Sequence, residues 1–251
     1  MKRLAFLSLF LIYGSIALAQ KQRILIVSTN RDSVGTHVSG TYLPEMAYPF
    51  QYFVNNGFEV DIVTPKGGKA AVYWRDVPPA LEQIQKSELF VAKTTNTLSP
   101  KDVDPANYAA VFYPGGHGQY FDVVNDERIA ALTAAIHERG GIVGTAGHGV
   151  ASLINVQLKD GKYLVAGKKM TCFPHWAELK WMNISEYGKL LAFDMQEVLE
   201  RRGARLVVST FETRTEPSLT LVTDPANRIV TGSFASSAQW VAEQMVMLMK
   251  K

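Results

Sequence analysis

Hydrophobic positions along this chain fall in short unbroken runs rather than in strict alternation. The runs are Ile24-Leu25-Ile26-Val27-Ser28, Glu59-Val60-Asp61-Ile62-Val63 and Ala109-Ala110-Val111-Phe112-Tyr113, followed by the small-residue run Ile142-Val143-Gly144-Thr145-Ala146. A strand that is apolar along its whole length has both faces covered, as in a parallel sheet flanked by helices. Helical periodicity fills the intervals. It predicts helices over residues 44–56, stopped by Gly57, over 125–139, with Asp126 near the start and Gly140 at the end, and over 189–202, closed by Gly203. A helix is also expected directly after the run at 142–146, and a last one over 236–249. Residues 205–209 read as a strand. Residues 219–222 and 229–231 flank Asp224-Pro225-Ala226-Asn227, a hairpin turn. This alternation predicts an α/β fold: a doubly wound, mostly parallel sheet with helices on both faces. Residues 67–105 have weak periodicity and are expected to form a small cap insertion over the sheet.

The amino terminus has a different pattern. Lys2 and Arg3 precede an apolar run from Leu4 to Ala17, and Ala17-Leu18-Ala19 ends it with small residues. A positive start, an apolar middle and an A-x-A end describe a secretory signal peptide over residues 1–19, which implies a secreted or periplasmic protein. A retained anchor is the competing reading; after cleavage no stable membrane anchor is expected. Residues 20–251 then form a single domain. Loss of Lys2 and Arg3 turns 26 basic against 23 acidic residues into 24 against 23. A net charge that close to zero gives no electrostatic footprint for nucleic acid. Cys172 is the only cysteine, so no internal disulfide can form. The five histidines show no zinc spacing and there is no CxxC or HExxH; neither a metal nor another cofactor is expected.

Candidate chemistry gathers where predicted strands end, which is where open α/β sheets bind ligands. The run Gly141 to Ala146 passes through Gly147-His148-Gly149 straight into the next element. In such an elbow the apex residue has a strained backbone, and its side chain stands beside backbone N–H groups able to hold an anion. Here the apex is Gly147, which has no side chain. His148 beside it reads either as a general base or as a histidine with a structural hydrogen bond, and the second reading is preferred. Glu45 opens a predicted helix among Tyr42, Met46, Tyr48 and Phe50. It reads equally as a first-turn carboxylate favoured by the helix dipole or as a pocket carboxylate with a raised pKa. Gly115-Gly116-His117-Gly118 is a plain glycine turn, or a loop whose N–H groups join that of His148 around an anion. It lacks the spacing of a nucleotide-binding loop.

These segments resemble the ThiJ/PfpI superfamily, which has the class I glutamine-amidotransferase-like, flavodoxin-like fold. The nearest branch is that of heat-shock chaperones and glyoxalase III enzymes. The resemblance is carried by Gly40-Thr41-Tyr42-Leu43-Pro44-Glu45, Val63-Thr64-Pro65-Lys66-Gly67-Gly68, Tyr113-Pro114-Gly115-Gly116-His117-Gly118, Ala146-Gly147-His148-Gly149 and Thr231-Gly232-Ser233-Phe234-Ala235-Ser236-Ser237-Ala238. Residues 158–171 resemble the family's hairpin after the elbow. In that family the elbow holds a nucleophilic cysteine, assisted by the adjacent histidine, which an acidic side chain orients. A glutamate from the first helix lies against the thiol. By position Glu45 matches that glutamate, His148 the histidine, and Gly147 stands where the cysteine falls. The orienting position falls on His175 or on Glu178. Superfamily analogy also implies a homodimer.

Three functions compete at this point. The favoured one is a non-catalytic protein, of pseudoenzyme type, that keeps the pocket to bind a small polar or carbonyl ligand, or acts as a holdase. The second is an enzyme with residual glyoxalase, deglycase or amidase activity through water or through Cys172, although an inert half-buried cysteine is the preferred reading of that residue. The third is a structural or partner-binding protein. The aromatic run Trp176, Trp181 and Tyr187 is read as packing rather than as a cap over the pocket.

Overall fold

The computed structural model describes residues 22–184 and 188–250; the signal-peptide segment lies outside them, as does Tyr187. Six strands build the central sheet: β1 (Arg23–Val27), β2 (Glu59–Val63), β3 (Tyr108–Tyr113), β4 (Ile142–Ala146), β5 (Leu221–Asp224) and β6 (Ile229–Gly232). Their spatial order is β5-β6-β4-β3-β1-β2. All neighbours are parallel except the hairpin β5–β6. The five parallel strands therefore run β2-β1-β3-β4-β6, the flavodoxin-like order, whose switch point lies between β1 and β3. Among the described residues seven α-helices accompany the sheet: α1 (Leu43–Asn55), α2 (Pro79–Gln85), α3 (Glu88–Thr95), α4 (Glu127–Glu138), α5 (His175–Ile184), α6 (Met195–Arg201) and α7 (Ala238–Met249).

The unbroken apolar runs are explained by two cores, one on each face. Leu25, Val27, Val111, Tyr113 and Val143 join the core under α4 and α6. Ile24, Ile26, Ala110, Phe112 and Ile142 join the core under α1 and α7. Alternate side chains of one strand thus bury in different layers, and each layer takes apolar surface out of water. Asp61 is the exception inside β2. Its carboxylate is buried but held by Lys93 at 2.7 Å and by the Tyr108 hydroxyl at 2.9 Å, with Arg23 also paired to it.

Three sequence-based expectations require correction. The element after the elbow is a 3-10 helix over Gly147–Leu153, not an α-helix; its length and small residues give tight turns. The helix expected over 189–202 is broken. A 3-10 turn at Gly188–Leu190 precedes α6, because Asp194 accepts from the Glu197 N–H and starts a new helix there. The strand expected over 205–209 is only Arg205–Leu206, paired with Lys169–Met170 outside the main sheet. The weakly periodic residues 67–105 do form the expected insertion: a short strand, Val72–Tyr73, paired with Thr41–Tyr42, then α2 and α3. No helix among the described residues is long and apolar enough to cross a membrane.

Candidate active-site cleft

Three chain segments leave the carboxyl ends of β1, β3 and β4 and meet at one cleft. From β1 the chain reaches Thr41–Tyr42, whose Tyr42 N–H donates to the Gly115 carbonyl at 3.0 Å. That backbone bond draws the first turn of α1 against the Pro114-Gly115-Gly116 loop. Pro44 suits the first turn of α1 because the N–H it lacks would have had no helical partner. Glu45, next in line, is turned into the protein and is 3% exposed.

The Glu45 carboxyl sits between two glycines. A Cβ on Gly115 would lie 2.4 Å from Glu45 Oε1, and one on Gly147 would lie 2.3 Å from the same oxygen. Both positions must be bare for this carboxyl to be where it is. Gly147 adopts φ +50°, a left-handed backbone at the apex between β4 and the 3-10 helix. The elbow expected from the sequence is therefore present, and it faces Glu45. The Gly115 N–H donates to the Glu45 carboxyl, whereas Oε1 has no hydrogen-bond partner among the described residues. Burial outweighs that one hydrogen bond and raises the Glu45 pKa to about 8. Near pH 7 the group is mainly a neutral carboxylic acid, a donor rather than an anion. Of the two readings of Glu45, the structure supports the pocket carboxyl.

His148 follows the apex. Its ring stacks on Phe173 at 4.2 Å, meets the His117 ring edge-on at 4.4 Å, and places Nε2 3.0 Å from Glu178 Oε2. Glu178 is 1% exposed. A carboxylate that accepts from Nε2–H leaves the lone pair on Nδ1. Of the two candidate positions, Glu178 is the one in contact with His148. His175 points elsewhere, its Nδ1 2.8 Å from Asp194 Oδ2. His117 is partly buried, and desolvation, with His148 and Arg75 adding to it, holds its imidazole well below the usual pKa and hence neutral.

The proposed anion hole needs revision. The Gly115 N–H is already given to Glu45, and the Gly118 N–H donates to the Gly40 carbonyl at 3.2 Å. Only Gly116 and His117 of that loop line the cleft. Cys172 fits the preferred reading of an inert cysteine, although it is fully rather than half-buried. It lies in the α4–α6 core, and burial together with the carboxylates of Asp194, Glu200 and Glu178 pushes its thiol up. The Cys172 route to activity is therefore set aside, because the nucleophile of such chemistry is an accessible thiolate. In the folded protein Cys172 is expected to react with iodoacetamide more than about 10³-fold slower than in urea, since reaction must wait for opening. Equal rates in both states, measured by mass spectrometry, would contradict this burial.

The cleft has a volume of about 200 Å³ and is also lined by Tyr42, Tyr73, Arg75, Phe173 and Ala235. Sequence reasoning missed Tyr73 and Arg75. They come from the insertion, where the only signal was the aromatic–basic run Val72-Tyr73-Trp74-Arg75. It also missed a cluster: His117, His148 and Glu178 each present a ligand-type atom, all within 4.8 Å of one another. Linear spacing conceals this, because the three residues stand on three separate segments.

An elbow after β4, a buried glutamate from the first helix and a carboxylate-held histidine on this sheet order define a glutamine-amidotransferase-like cleft. The chain matches the DJ-1/PfpI family over residues 38–204 and belongs to that family. It is 31% identical over 221 residues to Glyoxalase 3 of Candida albicans, covering 83% of this chain and 89% of that protein. It is 25% identical over 222 residues to the glutathione-independent glyoxalase hsp3102 of Schizosaccharomyces pombe, covering 83% and 88%. Among solved structures, glyoxalase III from Candida albicans aligns with a TM-score of 0.75 at 25% identity, covering 90% of this chain and 97% of that one. The Rapid Encystment Protein of 24 kDa from Francisella tularensis shares the fold, with a TM-score of 0.78 at 24% identity over 91% and 99% of the two chains.

Proposed function

We propose that this protein binds small carbonyl compounds in the cleft without the covalent thiol step, Gly147 having replaced the nucleophile. The observation that carries the reading is the apex itself: Gly147 faces Glu45, and the chain's one thiol, Cys172, lies buried in the core. Addition of a thiolate to an aldehyde requires sulfur in the cleft, and no residue lining it supplies any. What lines it suits binding. Glu45, protonated near neutral pH, has a proton to donate to a carbonyl oxygen. Arg75 at the rim suits a carboxylate, and Tyr42, Tyr73 and Phe173 supply walls. About 200 Å³ is below the range of drug-sized pockets, so the ligand is small, of the order of a three-carbon oxo compound. The amino-terminal pattern adds export from the cytoplasm to this proposal.

The test uses the untagged protein lacking residues 1–19. Incubation with methylglyoxal is expected to give no lactate above the uncatalysed background. Pyruvate or methylglyoxal is expected to perturb the NMR signals of His117 and His148. Robust lactate formation would refute the non-catalytic reading. Unperturbed signals at saturating ligand would refute the binding reading.

A further inference from the structure

We infer that His117, His148 and Glu178 form a site for one divalent transition-metal ion, zinc-like in its preferences, within this cleft. The inference goes beyond carbonyl binding and does not depend on it. His117 comes from the 3-10 turn after β3, His148 from the elbow, and Glu178 from α5. Their donor atoms lie within 4.8 Å of one another. His148 Nε2 and Glu178 Oε2, 3.0 Å apart, already have nearly the separation of two ligands on one tetrahedral ion, about 3.3 Å for metal–ligand bonds of about 2.0–2.2 Å. His117 supplies the third donor, within 4.8 Å of the other two.

A second observation points to a cation. Glu178 is 1% exposed, and its Oε1 has no hydrogen-bond partner among the described residues. A buried carboxylate oxygen without a partner is costly. A cation chelated by both Glu178 oxygens would give Oε1 the partner it lacks and would take the place of the hydrogen bond between Oε2 and His148. The set of two imidazoles and one carboxylate is that of open zinc sites, which keep a fourth position for water or ligand. His117 and His148 line the cleft, so a fourth ligand would approach from there. Imidazole donors favour zinc, cobalt, nickel and copper over magnesium and calcium. The rings are also held in place, since His148 is packed between Phe173 and His117.

The experiment titrates untagged, chelator-stripped protein with Co(II), then with Zn(II). One equivalent of Co(II) is expected to bind with the visible absorption of a tetrahedral site, and Zn(II) to displace it. His117→Asn and Glu178→Gln should each weaken Zn(II) binding at least about 10²-fold, more than loss of an outer-shell partner does. His37→Ala, in a separate short strand, should leave it unchanged. The inference is overturned if the folded wild-type protein binds no stoichiometric Co(II) or Zn(II), or if His117→Asn and Glu178→Gln bind as wild type. Where a variant fails to fold, diethyl pyrocarbonate modification of the wild type decides: protection of His117 and His148 by Zn(II) supports the site, and equal modification with and without Zn(II) refutes it.

Discussion

Gly147→Cys is expected to convert the protein into a measurable glyoxalase, with turnover of methylglyoxal at least on the order of 10²-fold above the wild-type background. His148 lies next in the chain with Nε2 on Glu178, and the Glu45 carboxyl lies where the new side chain would arrive. The substitution has a structural cost of two parts. A Cβ at φ +50° strains the backbone by about 1–3 kcal/mol. It would also lie 2.3 Å from Glu45 Oε1, so the carboxyl must swing aside, which the end of a flexible side chain can do. Gly147→Ala is the matched control: it carries the same strain and clash but no sulfur. The expected pair of results is a similar loss of melting temperature in both variants and lactate formation only in the cysteine variant. A folded Gly147→Cys protein whose thiol titrates yet yields no lactate would show that the cleft lacks more than sulfur.

The same geometry explains what could be read in the chain beforehand. The sheet was legible because each strand is buried on both faces, leaving runs such as Ile24 to Val27 unbroken. The elbow was legible because Gly144, Ala146 and Gly147 are small where β4 turns over the sheet, and Glu45 because a carboxylate among aromatic neighbours is conspicuous. The choice between His175 and Glu178 was not. The two residues are three apart, at the start of one helix, and only the capture of His175 by Asp194 assigns Glu178 to His148. Asp194 also hid the break before α6, because an amphipathic pattern does not reveal that an aspartate inside it caps a new helix. The approach of His117 to His148 is a tertiary fact about two loops and has no counterpart in linear spacing. The insertion gave weak signals because α2 and α3 have only 7 and 8 residues, too few for periodicity to accumulate.

Glu45 is expected to make the fold markedly less stable as pH rises from about 5 to about 9. Its ordinary pKa of 4.5 describes the unfolded chain, while in the folded protein burial raises it to about 8. Below 4.5 the carboxyl is protonated in both states and contributes nothing to the pH dependence. Between 4.5 and about 8 the folded protein keeps a proton that the unfolded chain has released, so rising pH favours unfolding, by up to about 1.4 kcal/mol per pH unit. Above pH 8 both states are ionised and the full penalty of a buried carboxylate remains, about 5 kcal/mol as an order of magnitude. Glu45→Gln removes this titration while keeping shape and the acceptor for the Gly115 N–H. Urea unfolding of both proteins at pH 5, 7 and 9 separates this effect from every other titrating group. The Gln variant should gain several kcal/mol relative to wild type between pH 5 and pH 9. A constant difference across that range would mean that Glu45 is ionised in the folded protein, and the carbonyl-binding reading would lose its hydrogen-bond donor.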